Sequence, residues 1–166
     1  TGFTITATTG TLIEIPGSPF PAPIMAGAGR ISGTVHPSGR FLYVANADTA
    51  VVGFTIDPTT GVLTLMGVFS TGTSPESVIV VPPGRFAYVA NAGSNDVSGF
   101  AINGATGALS PIAGSPFPSG DGPKSVTIDP SGRFAYVANG NSDNVSGYTS
   151  PFALQRSPKL NFRRVL

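Results

Sequence analysis

The chain has no cysteine among its 166 residues and only one histidine. Without cysteine, disulfide bonds, thiolate nucleophiles and cysteine-ligated metal sites are excluded, so the chain is compatible with an oxidising or a reducing compartment. No run of about 18 apolar residues occurs, and we expect no membrane-spanning helix. The N-terminus lacks the charged and apolar segments of a signal peptide, so the composition leaves the cellular location open.

Charged residues are also scarce, at 10% of the chain, where about a quarter is usual for soluble domains. The first 150 residues carry eight acidic and only five basic side chains. Phosphate binding needs clustered lysine and arginine, so these residues predict no nucleic-acid partner. The basic residues that follow have no acidic neighbours; they are Arg156, Lys159, Arg163 and Arg164.

An eight-residue segment occurs three times. Residues 39–46 read GRFLYVAN, and residues 84–91 and 132–139 both read GRFAYVAN. A repeat of 40 to 50 residues is typical of a β-propeller blade. The aromatic and β-branched residues between Pro/Gly turns are typical of strands. The sequence therefore predicts an all-β fold made of four-stranded antiparallel blades.

The phase of the repeat divides the chain into blades and a tail. We interpret residues 1–21 as strands three and four of a blade, residues 29–73 and 74–118 as full blades, and residues 121–149 as strands one to three of another. Residues 151–166 match no part of the repeat and form a basic tail, which we interpret as unrelated sequence after a truncated gene.

About three blades per chain are too few to close a propeller ring, and unpaired strand edges favour association. We expect a head-to-tail homodimer that forms a six-bladed ring with two-fold symmetry. In this assembly, strands one and two of the last unit, with or without strand three, join the opening strands of the partner copy.

The repeat resembles a known family. Residues 130–139 (PSGRFAYVAN) and residues 94–100 (SNDVSGF) are similar to the YVTN-type β-propeller repeat and to the lactonase family, which includes 6-phosphogluconolactonase-like enzymes with seven blades. The resemblance covers about residues 2–149 and implies a propeller fold. In the lactonases, the segment that enters the innermost strand often reads Gly-Pro-Arg-His. The aligned residues 122–125 read Gly-Pro-Lys-Ser, residues 74–77 read Ser-Pro-Glu-Ser, and residues 29–32 read Gly-Arg-Ile-Ser.

These aligned segments supply the candidate site. Glu76 and Lys124 occupy the same blade position, which in a propeller lies near the mouth of the central channel, and Ser77 and Ser125 follow them. Glu76 is a candidate general base, and Lys124 or Arg30 is a candidate for stabilising an oxyanion during ester hydrolysis. The alternative is that these are solvated charges that keep the channel wet.

Two further features have a simpler interpretation. Any Ser-His-Asp triad must use His36, but this residue aligns with Asp129 and Val81 at a turn, so we expect a turn role.

The acidic and amide residues after each strand two are possible oxygen ligands for Ca²⁺, although such residues are also common in hairpin turns. They are Asn46, Asp48, Asn91, Asn95, Asp96, Asn139, Asn141, Asp143 and Asn144. We favour hairpin turns and expect no other cofactor.

Two functions remain open from the sequence. The favoured one is a propeller scaffold or binding module that associates with itself and can hold a small-molecule ligand. The alternative is a weak or promiscuous hydrolase of lactones or activated esters, including phosphotriesters, at the mouth of the channel.

Overall fold

The strands follow the repeat closely. The computed structural model describes residues 1–21, 32–46 and 48–149. The β-strands in these ranges are β1 (Phe3–Ile5), β2 (Leu12–Glu14), β3 (Ser32–Val35), β4 (Phe41–Asn46), β5 (Ala50–Ile56), β6 (Leu63–Ser70), β7 (Pro75–Val81), β8 (Phe86–Asn91), β9 (Asp96–Ile102), β10 (Leu109–Pro111), β11 (Phe117–Pro118), β12 (Pro123–Ile128), β13 (Phe134–Asn139) and β14 (Asn144–Thr149). No helix long and apolar enough to cross a membrane is found in the described ranges.

The strands form four antiparallel sheets, which we call the first to fourth blades. The first blade contains β1 and β2, and the second has the order β3-β4-β5-β6. The third has the order β7-β8-β9-β10, with β11 also paired to β9, and the fourth has the order β12-β13-β14. The predicted all-β architecture of propeller blades is confirmed.

A glycine turn precedes the second strand of each larger blade. Gly39, Gly84 and Gly132 have φ angles of 72°, 106° and 71°, in the left-handed region that residues with a Cβ rarely adopt. At Gly84 a Cβ would also collide with the imidazole ring of His36. The turn therefore requires glycine for its backbone, and in the third blade for space as well.

The first strand of each larger blade is the innermost one. Strand β7 packs against both β3 and β12, the first strands of the neighbouring blades. This arrangement places the start of each inner strand beside the start of the next. Residues predicted to share a blade position therefore become neighbours in space.

The hydrophobic core lies between successive blades, in two clusters. Between the second and third blades, the buried side chains include Phe41, Tyr43, Val89, Ile102 and Leu109. Between the third and fourth blades they include Tyr88, Val97, Phe117, Val126 and Val137. Each fully buried apolar side chain of this size contributes roughly 1.5–3 kcal/mol to the free energy of unfolding.

Candidate functional site

Glu76 and Lys124 are positioned by matching irregularities in the inner strands. The pairing of β7 with β8 shifts between Pro75 and Ser77, so that Glu76 is the extra residue of a bulge. The pairing of β12 with β13 has the same shift, with Lys124 as its extra residue. A bulge changes the direction of a side chain and occurs often beside active sites.

The two bulged residues form an ion pair across the blades. The Lys124 Nζ atom lies 3.0 Å from Glu76 Oε1 and donates a hydrogen bond to it. The side chain of Glu76 is only 14% exposed and that of Lys124 is 38% exposed. Partial burial strengthens a charge-assisted hydrogen bond relative to one in water. The structure therefore brings together a carboxylate and an ammonium group that the sequence placed at equivalent positions.

The other predicted site residues differ in their surroundings. Ser77 Oγ accepts a hydrogen bond of 3.3 Å from the backbone N–H of Val126, which links β7 to β12. Ser125 follows Lys124 and is exposed. Arg30 lies outside the described residues. Within the described part, the candidate site thus consists of Glu76, Lys124 and the two serines.

A buried asparagine anchors the strand ends beside Glu76. Asn91 is fully buried and faces Pro75, the residue before Glu76, in the β7–β8 register. Its Nδ2 donates to Asp96 Oδ1 at 2.6 Å and to Ser98 Oγ at 2.9 Å. Because this amide ties β8 to β9, it fixes the strand against which the Glu76 bulge forms.

The fourth blade repeats this anchor beside Lys124. Asn139 faces Pro123 in the β12–β13 register and is 2% exposed. Its Nδ2 donates to Asn144 Oδ1 at 2.8 Å and to Ser146 Oγ at 2.9 Å. From the sequence, these asparagines are predicted to be turn residues, with Ca²⁺ binding as the alternative, and their burial is not predicted. The available signal was the fixed spacing of asparagine, acid or amide, and serine in both repeats.

The acidic and amide side chains around these turns mainly serve the hairpins. Among residues 1–21, 32–46 and 48–149, no three His, Cys, Asp or Glu side chains are close enough together to hold a metal ion. Asp96 and Asn144 instead accept hydrogen bonds from the buried asparagines. Hairpin turns are the favoured prediction for these residues, and calcium binding stays the alternative.

His36 is a structural link between the second and third blades. It is 6% exposed, and its Nε2 donates to the Gly84 carbonyl oxygen at 2.8 Å. Its Nδ1 accepts from the Ser38 backbone N–H at 3.0 Å, and its ring meets that of Phe41 edge to face at 5.6 Å. Both nitrogens are therefore engaged at the turn where the sequence placed this residue.

Asp129 occupies the turn position of His36 in the fourth blade. The Ser131 hydroxyl, followed by the Phe134 backbone N–H, lowers the pKa of its carboxyl from the ordinary value. The Arg133 backbone N–H also donates to it, at 2.8 Å. The lowered pKa arises from a turn that is folded around the carboxylate.

The three repeated arginines support the blades. Arg40, Arg85 and Arg133 each lie over the ring of the following phenylalanine, at 5.1, 6.0 and 5.4 Å from its centre. Arg40 Nη2 also donates to the Ala105 carbonyl oxygen of the third blade at 3.3 Å. The same cation–π contact in each blade accounts for the Arg-Phe pair of the motif.

The fold is similar to that of several solved propellers. A protein from Bacteroides uniformis that is provisionally named a 6-phosphogluconolactonase is 21% identical, with a TM-score of 0.69 over 80% of this chain and 38% of its own. A protein from Lactobacillus plantarum is 24% identical, with a TM-score of 0.68 over 78% of this chain and 40% of its own. A periplasmic gluconolactonase from Pseudomonas aeruginosa is 24% identical, with a TM-score of 0.66 over 80% of this chain and 39% of its own.

The chain thus spans about two fifths of the length of these solved structures. No curated protein sequence matches it closely enough to count as a relative. A sequence model of the family described as Lactonase, 7-bladed beta-propeller matches residues 3–118 and 77–151, which together cover most of the chain. The chain belongs to the lactonase family of seven-bladed β-propellers.

Proposed function

We propose that the chain is a lactonase-type hydrolase of lactones or other activated esters, including phosphotriesters. The observation that carries this proposal is the Glu76–Lys124 ion pair, formed at 3.0 Å by the bulged residues of two adjacent inner strands. Membership of the lactonase family supports hydrolysis more than a purely structural role. The similar solved structures include a periplasmic gluconolactonase.

The two charges have complementary roles in ester hydrolysis. The Glu76 carboxylate accepts a proton from a water molecule as that water attacks the carbonyl carbon. The Lys124 ammonium stabilises the negative oxygen of the tetrahedral intermediate. When the intermediate collapses, the ester C–O bond breaks, and the leaving alkoxide takes the proton from Glu76. In a lactone the alkoxide remains attached, and the product is a hydroxy acid.

The serines and Arg30 are secondary parts of this proposal. Ser125 follows Lys124 on β12 and is exposed, so its hydroxyl is available to orient the substrate. Ser77 links the inner strands through Val126. Arg30 is proposed as a second cation for the oxyanion. We propose to run the same assays with added calcium and with EDTA, which tests whether calcium affects hydrolysis.

The second candidate is a non-catalytic propeller module that binds a small ligand at the channel mouth. Serine stands at positions 32, 77 and 125, where the lactonases that the repeat resembles often have histidine. This substitution favours binding without catalysis. Both candidates place the ligand at the same charged pair.

We also propose that the chain associates with itself, because about three blades are too few to close a propeller ring. Within the described residues, the first blade contains two strands and the fourth contains three. A head-to-tail homodimer would join these incomplete blades and form a ring of six. A second copy of this chain is therefore the proposed macromolecular partner.

The test is hydrolysis by purified protein of a lactone, an aryl ester and a phosphotriester. We expect Glu76→Gln and Lys124→Ala each to reduce kcat/KM by at least about 100-fold, because each removes one charge used in the transition state. Asp121→Asn is the matched control, since it removes an exposed carboxylate of the fourth blade and should retain activity.

Activity that survives both substitutions would remove this site. No activity on any substrate, with ligand binding that is lost in the same variants, would support the binding module instead.

A further inference from the structure

The connection that enters the fourth blade is held by one residue of the third blade. Asn95 lies in the turn between β8 and β9, and its backbone carbonyl oxygen accepts a hydrogen bond of 3.1 Å from the Ser119 N–H. Its side-chain Oδ1 accepts a second hydrogen bond, of 2.8 Å, from the Gly122 N–H. Residues 119–122 lead from β11 to β12. Asn95 therefore holds this connection at both of its ends.

The equivalent connection into the third blade is held by backbone groups alone. The Thr49 carbonyl oxygen accepts from the Thr71 N–H at 2.8 Å, and the Asp48 carbonyl oxygen accepts from the Ser74 N–H at 2.9 Å. The β8–β9 turn is one residue longer than the β4–β5 turn. In the longer turn, the side chain of Asn95 takes the place of one backbone carbonyl, so this contact can be removed by substitution.

The backbone conformation of Asn95 limits which substitutions are informative. Its φ angle is 56°, in the left-handed region where Gly, Asn and Asp are the usual residues. Asp143, which also stands directly before the third strand of its blade, has a φ angle of 49°. Gly and Asp at position 95 should therefore keep the turn, and only Asp keeps an oxygen that can accept the hydrogen bond.

The hydrogen bond from Gly122 lies two residues before Lys124. Gly122 and Pro123 are both buried. The Gly122 carbonyl oxygen accepts from the Gly140 N–H at 2.8 Å, so both polar groups of the Gly122 backbone are used. Asn95 and Gly140 thus fix this residue from two sides, and the bulge that presents Lys124 follows directly.

We propose that Asn95 is a positioning residue, which holds the start of β12 through the Gly122 N–H so that the Lys124 ammonium reaches Glu76. If Oδ1 is removed, the buried N–H loses its acceptor, and the start of β12 shifts to bring this group to water. Lys124 moves with the backbone, and its 3.0 Å hydrogen bond to Glu76 is weakened. A consequence for hydrolysis rests on the proposed function, whereas the positioning itself does not.

The first experiment detects the position of Lys124 without an assay of hydrolysis. The chain contains two lysines, Lys124 and Lys159, so Lys124 is the only lysine in the variant Lys159→Arg. Mass spectrometry of the peptide that contains Lys124 then gives the rate of its acetylation by acetic anhydride. An amine that attacks this reagent must first leave its hydrogen bond to Glu76, so a weaker ion pair gives a higher rate.

The expected rates distinguish the hydrogen bond from the shape of the turn. We expect Asn95→Gly to raise the rate by about 3- to 10-fold, the factor that corresponds to the loss of one hydrogen bond. Asn95→Asp should keep the original rate, because its carboxylate accepts the same N–H. Asn103→Gly is the matched control, since it removes an exposed Oδ1 of the third blade that accepts from Ala105 and Thr106 within its own turn.

The second experiment asks whether Asn95 acts through the ion pair. Glu76→Ala removes the carboxylate and should itself raise the acetylation rate of Lys124. When Asn95→Gly is added to Glu76→Ala, we expect a further change of less than about twofold, because the contact that it would weaken is already absent. An equal rise from Asn95→Gly with and without Glu76 would show a general loosening of the fourth blade and overturn the positioning role.

The outcomes also separate this role from the proposed function. An unchanged rate in Asn95→Gly, or a rise that Asn95→Asp shares, overturns the positioning role whatever the result of the hydrolysis assays. Rates as expected, in a protein that hydrolyses no lactone, aryl ester or phosphotriester, support the positioning role and contradict the hydrolase. If both proposals hold, Asn95→Gly lowers kcat more than it changes KM, and Asn95→Asp retains the wild-type kcat.

Discussion

The interface between the second and third blades is packed by sheets of at least four strands on both sides, whereas the described part of the fourth blade brings three strands to the interface between the third and fourth blades. In the first interface Tyr43 is fully buried, and its hydroxyl is bonded to Gly107. In the second, the equivalent Tyr88 is 8% exposed and borders a cavity. The inner strands pack alike in the two interfaces, and among residues 48–149 the fourth blade has no strand that corresponds to β10 of the third blade. The outer half of a blade therefore completes the core that the inner half begins.

The largest expected effect comes from creating a cavity in the interface between the second and third blades, like the one that borders Tyr88. Leu109→Ala removes an outer-strand side chain that is 7% exposed. We expect the free energy of unfolding to fall by about 3 kcal/mol, because the substitution loses apolar burial and leaves a cavity. Denaturant unfolding of the variant and the wild type measures this change.

The control for this prediction is Leu65→Ala, an outer-strand leucine that is 49% exposed. It should change stability by less than about 0.5 kcal/mol. Equal losses in the two variants would contradict the view that the outer strand completes the interface.

The next effect is a loss of stability in alkaline solution. Burial raises the pKa of Tyr43 from 10.0 to about 12. The unfolded chain therefore releases this proton near pH 10, while the folded chain keeps it to about pH 12. The stability associated with Tyr43 is complete below pH 10 and is lost as the pH rises through 12, a decline of roughly 2–3 kcal/mol.

Stability measured from pH 9 to pH 12 tests this prediction. In Tyr43→Phe the decline should be much smaller, leaving the part due to Tyr88, whose pKa burial also raises. A decline of the same size in the variant would show that Tyr43 is not the titrating group.

The smallest expected effect on stability is that of removing the hydroxyl group of Tyr43 or of Tyr88. At neutral pH, Tyr43→Phe should lower the free energy of unfolding by about 1 kcal/mol, because it leaves the Gly107 carbonyl without its donor. Tyr88→Phe should have a smaller effect, because the Tyr88 side chain borders a cavity. Thermal unfolding of these variants provides the measurement.

The repeat predicted the blades well because strand patterns and turns are local properties. The three GRF-x-YVAN segments each include the second strand of a blade, with Gly and Arg in the turn before it. The spacing of the repeats also predicted that Glu76 and Lys124 share a blade position. In the structure, Lys124 Nζ lies 3.0 Å from Glu76 Oε1. Their catalytic role stays a proposal.

Contacts between repeats were harder to predict. The link from His36 to Gly84 joins residues 48 positions apart, and no local pattern specifies that pairing. The bulges at Glu76 and Lys124 also depend on strand register, which the sequence shows only through the preceding prolines. Long-range register and side-chain burial are therefore what the structure adds.

The most direct test of the proposed active site is a double-mutant cycle in hydrolysis. If Glu76 and Lys124 act on one transition state, the variant with both Glu76→Gln and Lys124→Ala should lose little more kcat/KM than the more damaged single variant. Each single variant should lose at least about 100-fold. Wild-type rates in both single variants, or losses that simply multiply in the double variant, would contradict a site in which the two groups work together.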